Sequence, residues 1–442
     1  MRILSCCLML AIVTVAFAGD PPTAGYQAKV APASKDYQKA MAAARLPAGM
    51  KIDLWAAEPL LANPVAFAID HQNRIYVAET FRLHAGVTDI RGYLNPKGNY
   101  WLDEDLACRT VEDRIAMTRR KLGDQAKGWE QHHDRVRRLE DTTGDGRANK
   151  ATVFADGFSR LQDGIGSGLL ARGDTVWYAC IPDLWQLRDP KNTGVASDRK
   201  ILSTGYGVRY GFIGHDLHGL IMGPDGKIYF SIGDRGLNVP TPKGRLVYPD
   251  TGAVLRCNPD GSDLEVFASG LRNPQELAFD DHGNLFTGDN NCDSGDRARW
   301  VYIMEGGDCG WRIGYQFDGS QGSRGPWNAE KLWHPPHAGQ PAWIVPPITN
   351  VADGPSGLAY YPGIGLPDRY KGHFFLADFR GGPANSGIRS FANKAKGAGF
   401  EMIDSHQFIW SVLATDVDFA TDGAVMISDW VAGWGLTGKG RI

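Results

Sequence analysis

The sequence has no Cys-x-x-Cys, no long basic stretch, and no apolar run of membrane-spanning length after its first residues. Each absence removes a class of function. Without Cys-x-x-Cys, and so without Cys-x-x-Cys-His, zinc ribbons and covalently attached c-type haem are excluded. Without a basic stretch, and with a formal net charge of -3, DNA and RNA are excluded as partners. A helix needs roughly 20 apolar residues to cross a bilayer, so no transmembrane segment is expected. Cysteine is sparse as well. Cys6 and Cys7 fall in a leader-like start, leaving Cys108, Cys180, Cys257, Cys292 and Cys309. An odd number leaves at least one thiol unpaired, and Cys292 with Cys309 is the preferred disulfide.

The leader reading rests on Arg2, the short apolar run 3–17 and the small-x-small triplet Ala16-Phe17-Ala18. It predicts a signal peptide over 1–18, cleaved after Ala18, and a secreted or periplasmic protein. Residues 19–47 are rich in Pro, Ala and Lys and read as a linker.

What is plentiful is Gly (55), Pro (25) and Trp (13), the composition of an all-β chain with many turns. A repeat then sets the fold. Six segments share a polar turn, a strand of β-branched, aromatic and small residues, and a polar or acidic end. They are Arg74-Ile-Tyr-Val-Ala-Glu79, Thr175-Val-Trp-Tyr-Ala-Cys180, Lys227-Ile-Tyr-Phe-Ser-Ile232, Asn284-Leu-Phe-Thr-Gly-Asp289, His373-Phe-Phe-Leu-Ala-Asp378 and Ala424-Val-Met-Ile-Ser-Asp429. Turn pairs such as Asp225-Gly226 and Asp422-Gly423 precede most of them, which is hairpin chemistry. Each has an apolar partner just upstream, at 65–69, 168–171, 219–222, 276–279, 357–360 and 416–420. Third and fourth strands are visible around Asp145-Gly146 and Asp260-Gly261. The expectation is a six-bladed β-propeller of four-stranded antiparallel blades over 48–442. Residues 51–56 would supply the outer strand of the last blade. The sequence stops inside that blade's third strand, as a fragment of a longer protein would. An insertion at about 81–133 lengthens the first unit. Thr110-Val-Glu-Asp113 reads there as a capping box opening a helix.

In a propeller blade, the start of the first strand and the end of the second lie on one face. That topology gathers Glu79, Asp234, Asp289, Asp378 and Asp429 with His215, Arg272, Asn273 and Asp353 at one channel mouth. Titratable groups converging in a cleft mark a candidate site. His215 would serve as general base and Arg272 would stabilise negative charge. For Asp378 and Asp429 a bracing role, accepting hydrogen bonds from turn amides, is the better expectation. His215 and His218 are a weak metal pair, because residues three apart on a strand face opposite ways.

The segment from Gly214-His215 to Gly233-Asp234 resembles the catalytic-histidine segment of soluble glucose/sorbosone dehydrogenases. Arg272-Asn-Pro-Gln275 and Gly306-Gly-Asp-Cys-Gly-Trp311 are similar to two further motifs of that family. A closer resemblance is to the propeller module of planctomycete-type "membrane-bound dehydrogenase domain" proteins. It is carried by Ala78-Glu-Thr-Phe-Arg-Leu-His-Ala-Gly86, by the segment from Trp101 to Asp113, and by Ile181-Pro-Asp-Leu-Trp185. The resemblance implies an exported oxidoreductase that oxidises a sugar or alcohol hydroxyl with pyrroloquinoline quinone and calcium. It further implies a small-molecule substrate and a cytochrome c as electron acceptor. By that resemblance His215 takes the hydroxyl proton. Arg272, Asn273 and Arg380 contact the quinone, with Asp234 and Asp353 beside them, and Asp289, Asn290 and Asn291 lie at the calcium. The chain departs from the dehydrogenases at 412–416, which hold no Arg-x-Arg. Two other readings share the fold: a calcium-dependent lactonase-type hydrolase, and a carbohydrate- or protein-binding propeller without catalysis.

Overall fold

The computed structural model describes residues 26–95, 97–293, 296–317, 325–332, 337 and 344–442. The leader 1–18 with its cleavage after Ala18 and residues 19–25 of the linker lie outside these residues.

Each of the six repeated segments forms the second strand of a sheet: Ile75–Glu79, Thr175–Cys180, Ile228–Ile232, Leu285–Asp289, His373–Asp378 and Val425–Asp429. The first five belong to four-stranded antiparallel sheets and the sixth to a two-stranded one. Their upstream partners are Pro64–Ile69, Gly166–Arg172, Leu217–Met222, Pro274–Phe279, Pro355–Tyr360 and Ala414–Phe419. These inner strands pack on one another in sequence order, and the sixth packs back on the first.

The second strands of the first five sheets are buried from end to end. They lie between neighbouring sheets and bury side chains on both faces. That is why they read as continuous apolar runs rather than as alternating ones. Between the fourth and fifth sheets, Phe286 stacks on Trp300 at 5.5 Å and meets Phe374 edge-on at 5.2 Å.

The sixth sheet is extended by isolated bridges. Arg441 bridges Asp429 on one side and Ala57 on the other. Ile442 accepts from the amides of Trp55 and Ala56 and donates its own to Ala56. Residues 51–56 are therefore joined through their last members, without forming the longer strand expected there.

The stretch expected as a linker holds the helix Asp36–Ala43. It also touches the sheets, through Ala31 to Gly438 and through a bridge from Arg45 to Trp410. The insertion carries helices Leu102–Ala107 and Val111–Leu122, the second opened by the expected capping box between Thr110 and Asp113.

The expected Cys292–Cys309 disulfide is not formed. All five described cysteines are free, buried thiols. Cys292 packs against Trp311 and Trp327, whereas Cys309 lies in the apolar cluster around Val254 and Leu277. Burial pushes both thiols up to about 12, so neither is a ready thiolate.

Candidate active site

Every pairing of an inner strand with its second strand carries a register irregularity. In five of them it falls at the start of the inner strand, where a bulge bends the strand and re-aims a side chain. The displaced residues include Val65, Ser167, Gln275, Ser356 and Thr415, and all of these line one cavity of about 460 Å³. His215, Asn273 and Asn290 line it too, as do Arg91, Phe212, Asp293 and Trp434.

The loop that carries His215 is held by the insertion. The Asp105 carboxylate accepts the amides of Tyr210 at 2.7 Å and Gly211 at 3.1 Å, and Asp89 accepts that of Ile213 at 3.0 Å. His215 is 3% exposed, with Nδ1 2.7 Å from Asp234 Oδ1. The other Asp234 oxygen accepts the Trp311 indole N–H at 2.9 Å. Burial works to raise this carboxyl, but His215, Arg272 and the indole outweigh it and hold it below the ordinary carboxylate range. With Nδ1 engaged, Nε2 is the nitrogen left for a ligand. Gly233 permits the cluster: a Cβ there would stand 2.8 Å from His215 Cβ and 2.9 Å from Asn273 Oδ1.

Arg272 lies between Phe212 and Trp311, with its Cζ 5.1 and 5.7 Å from the ring centroids. Its Nε donates to Gln316 at 3.2 Å and its Nη2 lies 3.5 Å from Asp293. Its buried Nη1 has no partner among the described residues, and neither has Asn273 Oδ1. Two orphaned polar atoms, one donor and one acceptor, thus lie beside the histidine.

Of the other expected residues, Asn290 lines the cavity, and the rest are engaged in bracing or pairing contacts. The Asp289 carboxylate is fully buried and turned into the sheet, accepting the amides of Arg272 and Asn273 and pairing with Arg299. Asp378 braces the fifth sheet in the same way, accepting the amides of Asp353 and Gly354, and Glu79 the first, accepting that of Ala62. Arg380 grips Asp378 at 2.9 Å and reaches Asp353 at 3.6 Å. Asn291 donates to Asp353 at 3.0 Å. Both His218 nitrogens face carbonyl oxygens, of Ser167 and Gly214. Among the described residues no group of three or more His, Cys, Asp or Glu converges as a metal site.

Glu276 and Asp416 also line the cavity and carry no motif. Asp416 joins the sixth sheet to the first by accepting the Phe67 amide at 2.9 Å. Its closeness to the fifth sheet requires Gly357, where a Cβ would stand 2.4 Å from Asp416 Cα. Burial raises the Asp416 carboxyl from 3.8 to about 8, and Asp418 adds to this, while the amides of Phe67 and Val417 oppose it. Burial and Asp416 push Glu276 up as well. Between those two pH values the unfolded chain releases a proton that the folded chain retains. This carboxyl should therefore cost the fold stability as pH rises from about 4 to about 8. A thermal-melting series should show this slope, and Asp416→Asn should flatten it.

A family model described as a domain of unknown function, DUF7133, matches residues 36–430. The chain belongs to that family. Quinoprotein glucose dehydrogenase B of Acinetobacter calcoaceticus is 33% identical over 133 residues, 24% of this chain and 27% of that relative. The match thus spans about a quarter of the curated relative's length. Among solved structures, an oxidoreductase (glucose dehydrogenase) of Thermus thermophilus is similar over 87% of this chain and 98% of its own, at 16% identity and a TM-score of 0.51. The soluble aldose sugar dehydrogenase of Escherichia coli is similar over 87% and 97%, at 14% identity and a TM-score of 0.51. This member of the DUF7133 family therefore has a glucose dehydrogenase-like propeller fold, built mostly of four-stranded antiparallel sheets. No helix among the described residues is long and apolar enough to cross a membrane.

Proposed function

We propose that this chain is an exported six-bladed propeller that oxidises a sugar or alcohol hydroxyl with pyrroloquinoline quinone, passing electrons to a cytochrome c. The observation that carries the reading is His215, backed by Asp234, facing a cavity beside the unpartnered Arg272 Nη1 and Asn273 Oδ1. A flat, carboxylate- and carbonyl-bearing cofactor fits such a set. Arg272 would take a carboxylate and Asn273 would order the polar edge. When bound, the quinone supplies the acceptor for the two electrons that leave the substrate carbon as hydride. His215 Nε2 takes the hydroxyl proton, and the Asp234 carboxylate stabilises the imidazolium that results. Phe212 keeps water from one side of the histidine, its ring centroid 5.7 Å away. Arg380, held by Asp378, is not needed in this scheme. The Asp289 carboxylate is taken up by Arg299 and by the amides of Arg272 and Asn273, and no step here depends on calcium.

The test is a titration of the purified protein with pyrroloquinoline quinone, with and without calcium, read by absorbance and by sugar-driven dye reduction. Uptake with turnover supports the reading, and no uptake under either condition overturns it.

The rim supports a sugar as substrate. Trp434 is 65% exposed, unusual for so large an apolar ring, and it lines the cavity. Phe379 holds it edge-on at 4.9 Å, and any Cβ at Gly381 would collide with its indole. An open indole face suits the C–H face of a pyranose. Trp434→Ala should raise KM about three- to tenfold, the order of one lost ring contact, with kcat nearly unchanged. An unaltered KM would remove Trp434 from the substrate site.

A further inference from the structure

The mouth contains a second cation that no motif announced. Arg91, from the insertion, stacks on Phe212 with its Cζ 4.4 Å from the ring centroid. Arg272 lies 5.1 Å from the centroid of the same ring. Both guanidinium groups approach one carboxylate, Asp293: Arg91 Nη1 at 3.6 Å and Arg272 Nη2 at 3.5 Å.

These contacts are long for charge-assisted hydrogen bonds, which run at about 2.7–2.9 Å. The Asp293 side chain is 45% exposed, and its φ of 62° lies in the left-handed region that non-glycine residues rarely adopt. Arg91 is anchored elsewhere, through Nε and Nη2 to Asp89 at 3.0 and 2.8 Å. Asp89 in turn accepts the Ile213 amide on the His215 loop. The two cations are thus fixed, while their shared anion is exposed and weakly bonded. Arg272 also keeps its buried Nη1 without a partner among the described residues. Arg91, Phe212 and Asp293 all line the cavity.

We propose that Arg91 and Arg272 form a carboxylate subsite, and that Asp293 fills it until a carboxylate-bearing ligand entering the cavity displaces it. That carboxylate comes from the quinone or from an acidic sugar. The first source rests on the oxidoreductase reading; the second does not. The subsite supplies a positive charge at the third and fourth sheets, whereas segment 412–416 of the sixth sheet has none.

The test measures affinity rather than turnover. The full chain is titrated by calorimetry with pyrroloquinoline quinone alone and with galacturonate alone, using wild type, Asp293→Asn, Arg91→Ala and the double variant. Melting curves confirm folding. Removing a competing, partly exposed charge is worth up to about 1 kcal/mol, so Asp293→Asn should bind roughly three- to fivefold tighter. Arg91→Ala should bind more weakly and should cancel most of that gain in the double variant. Raising salt should weaken binding in wild type and Asp293→Asn alike. Tightening for galacturonate but not for the quinone keeps the subsite and removes the quinone. If Asp293→Asn leaves the affinity for both probes unchanged, or if neither probe binds any variant, the proposal is overturned. Should Arg91→Ala misfold, Arg91→Lys must still weaken binding, since a point charge cannot replace the fork on the ring.

Discussion

His215→Ala should lower kcat for sugar-driven dye reduction by about a hundred- to ten-thousand-fold, the range for a lost general base. The size follows from the absence of a substitute. Asp234 lies behind the ring rather than in front of it, and its carboxyl is held ionised by His215, Arg272 and the Trp311 indole. His218 cannot step in, because both its nitrogens face backbone oxygens and burial lowers its affinity for a proton. Quinone affinity in the same variant should change far less, since Arg272 and Asn273 stay in place. Turnover close to wild type would rule out His215 as the base, whatever the cofactor proves to be.

Asp289→Ala should cost about 3–5 kcal/mol of stability, the penalty for stranding a buried charge. The Asp289 carboxylate is fully buried and accepts the amides of Arg272 at 3.0 Å and Asn273 at 2.7 Å. Its removal leaves the Arg299 guanidinium, 4% exposed, without its anion. It also frees the turn that carries Arg272 and presents Asn273 to the cavity. Denaturant unfolding should show the loss, and quinone affinity should fall with it. A loss below about 1 kcal/mol, the value of an ordinary hydrogen bond, would mean that Arg299 and the amides find other partners.

The second strands are legible in the sequence because burial on both faces leaves an unbroken apolar run with a turn pair before it. His215 is legible through its motif and through the topology that gathers it with Arg272 at one channel mouth. Three things are not. The brace role of Asp289 depends on which way a carboxylate turns at a strand end, and strand periodicity does not specify that. The bulges that aim Ser167, Gln275 and Thr415 inward insert a residue out of phase with the twofold alternation, so pattern reading places these side chains on the wrong face. Arg91 lies in an insertion with no counterpart in the repeat; only its short acidic context, Asp89-Ile-Arg91, hints at a fixed guanidinium. Pairing Cys292 with Cys309 rests on number and compartment alone, which carry no information on distance.

The bridges that complete the sixth sheet set an order of events during synthesis. The first five sheets draw all their strands from neighbouring stretches of sequence and can pair as those stretches emerge. Trp55, Ala56 and Ala57 cannot, because their partners are Arg441 and Ile442. Until those residues leave the ribosome, Trp55, Ala56 and Ala57 stay unpaired, and contacts of such separation form slowly. In a nascent chain Trp55, Ala56 and Ala57 therefore wait for partners nearly four hundred residues downstream, long after the first sheet beside them is able to pair.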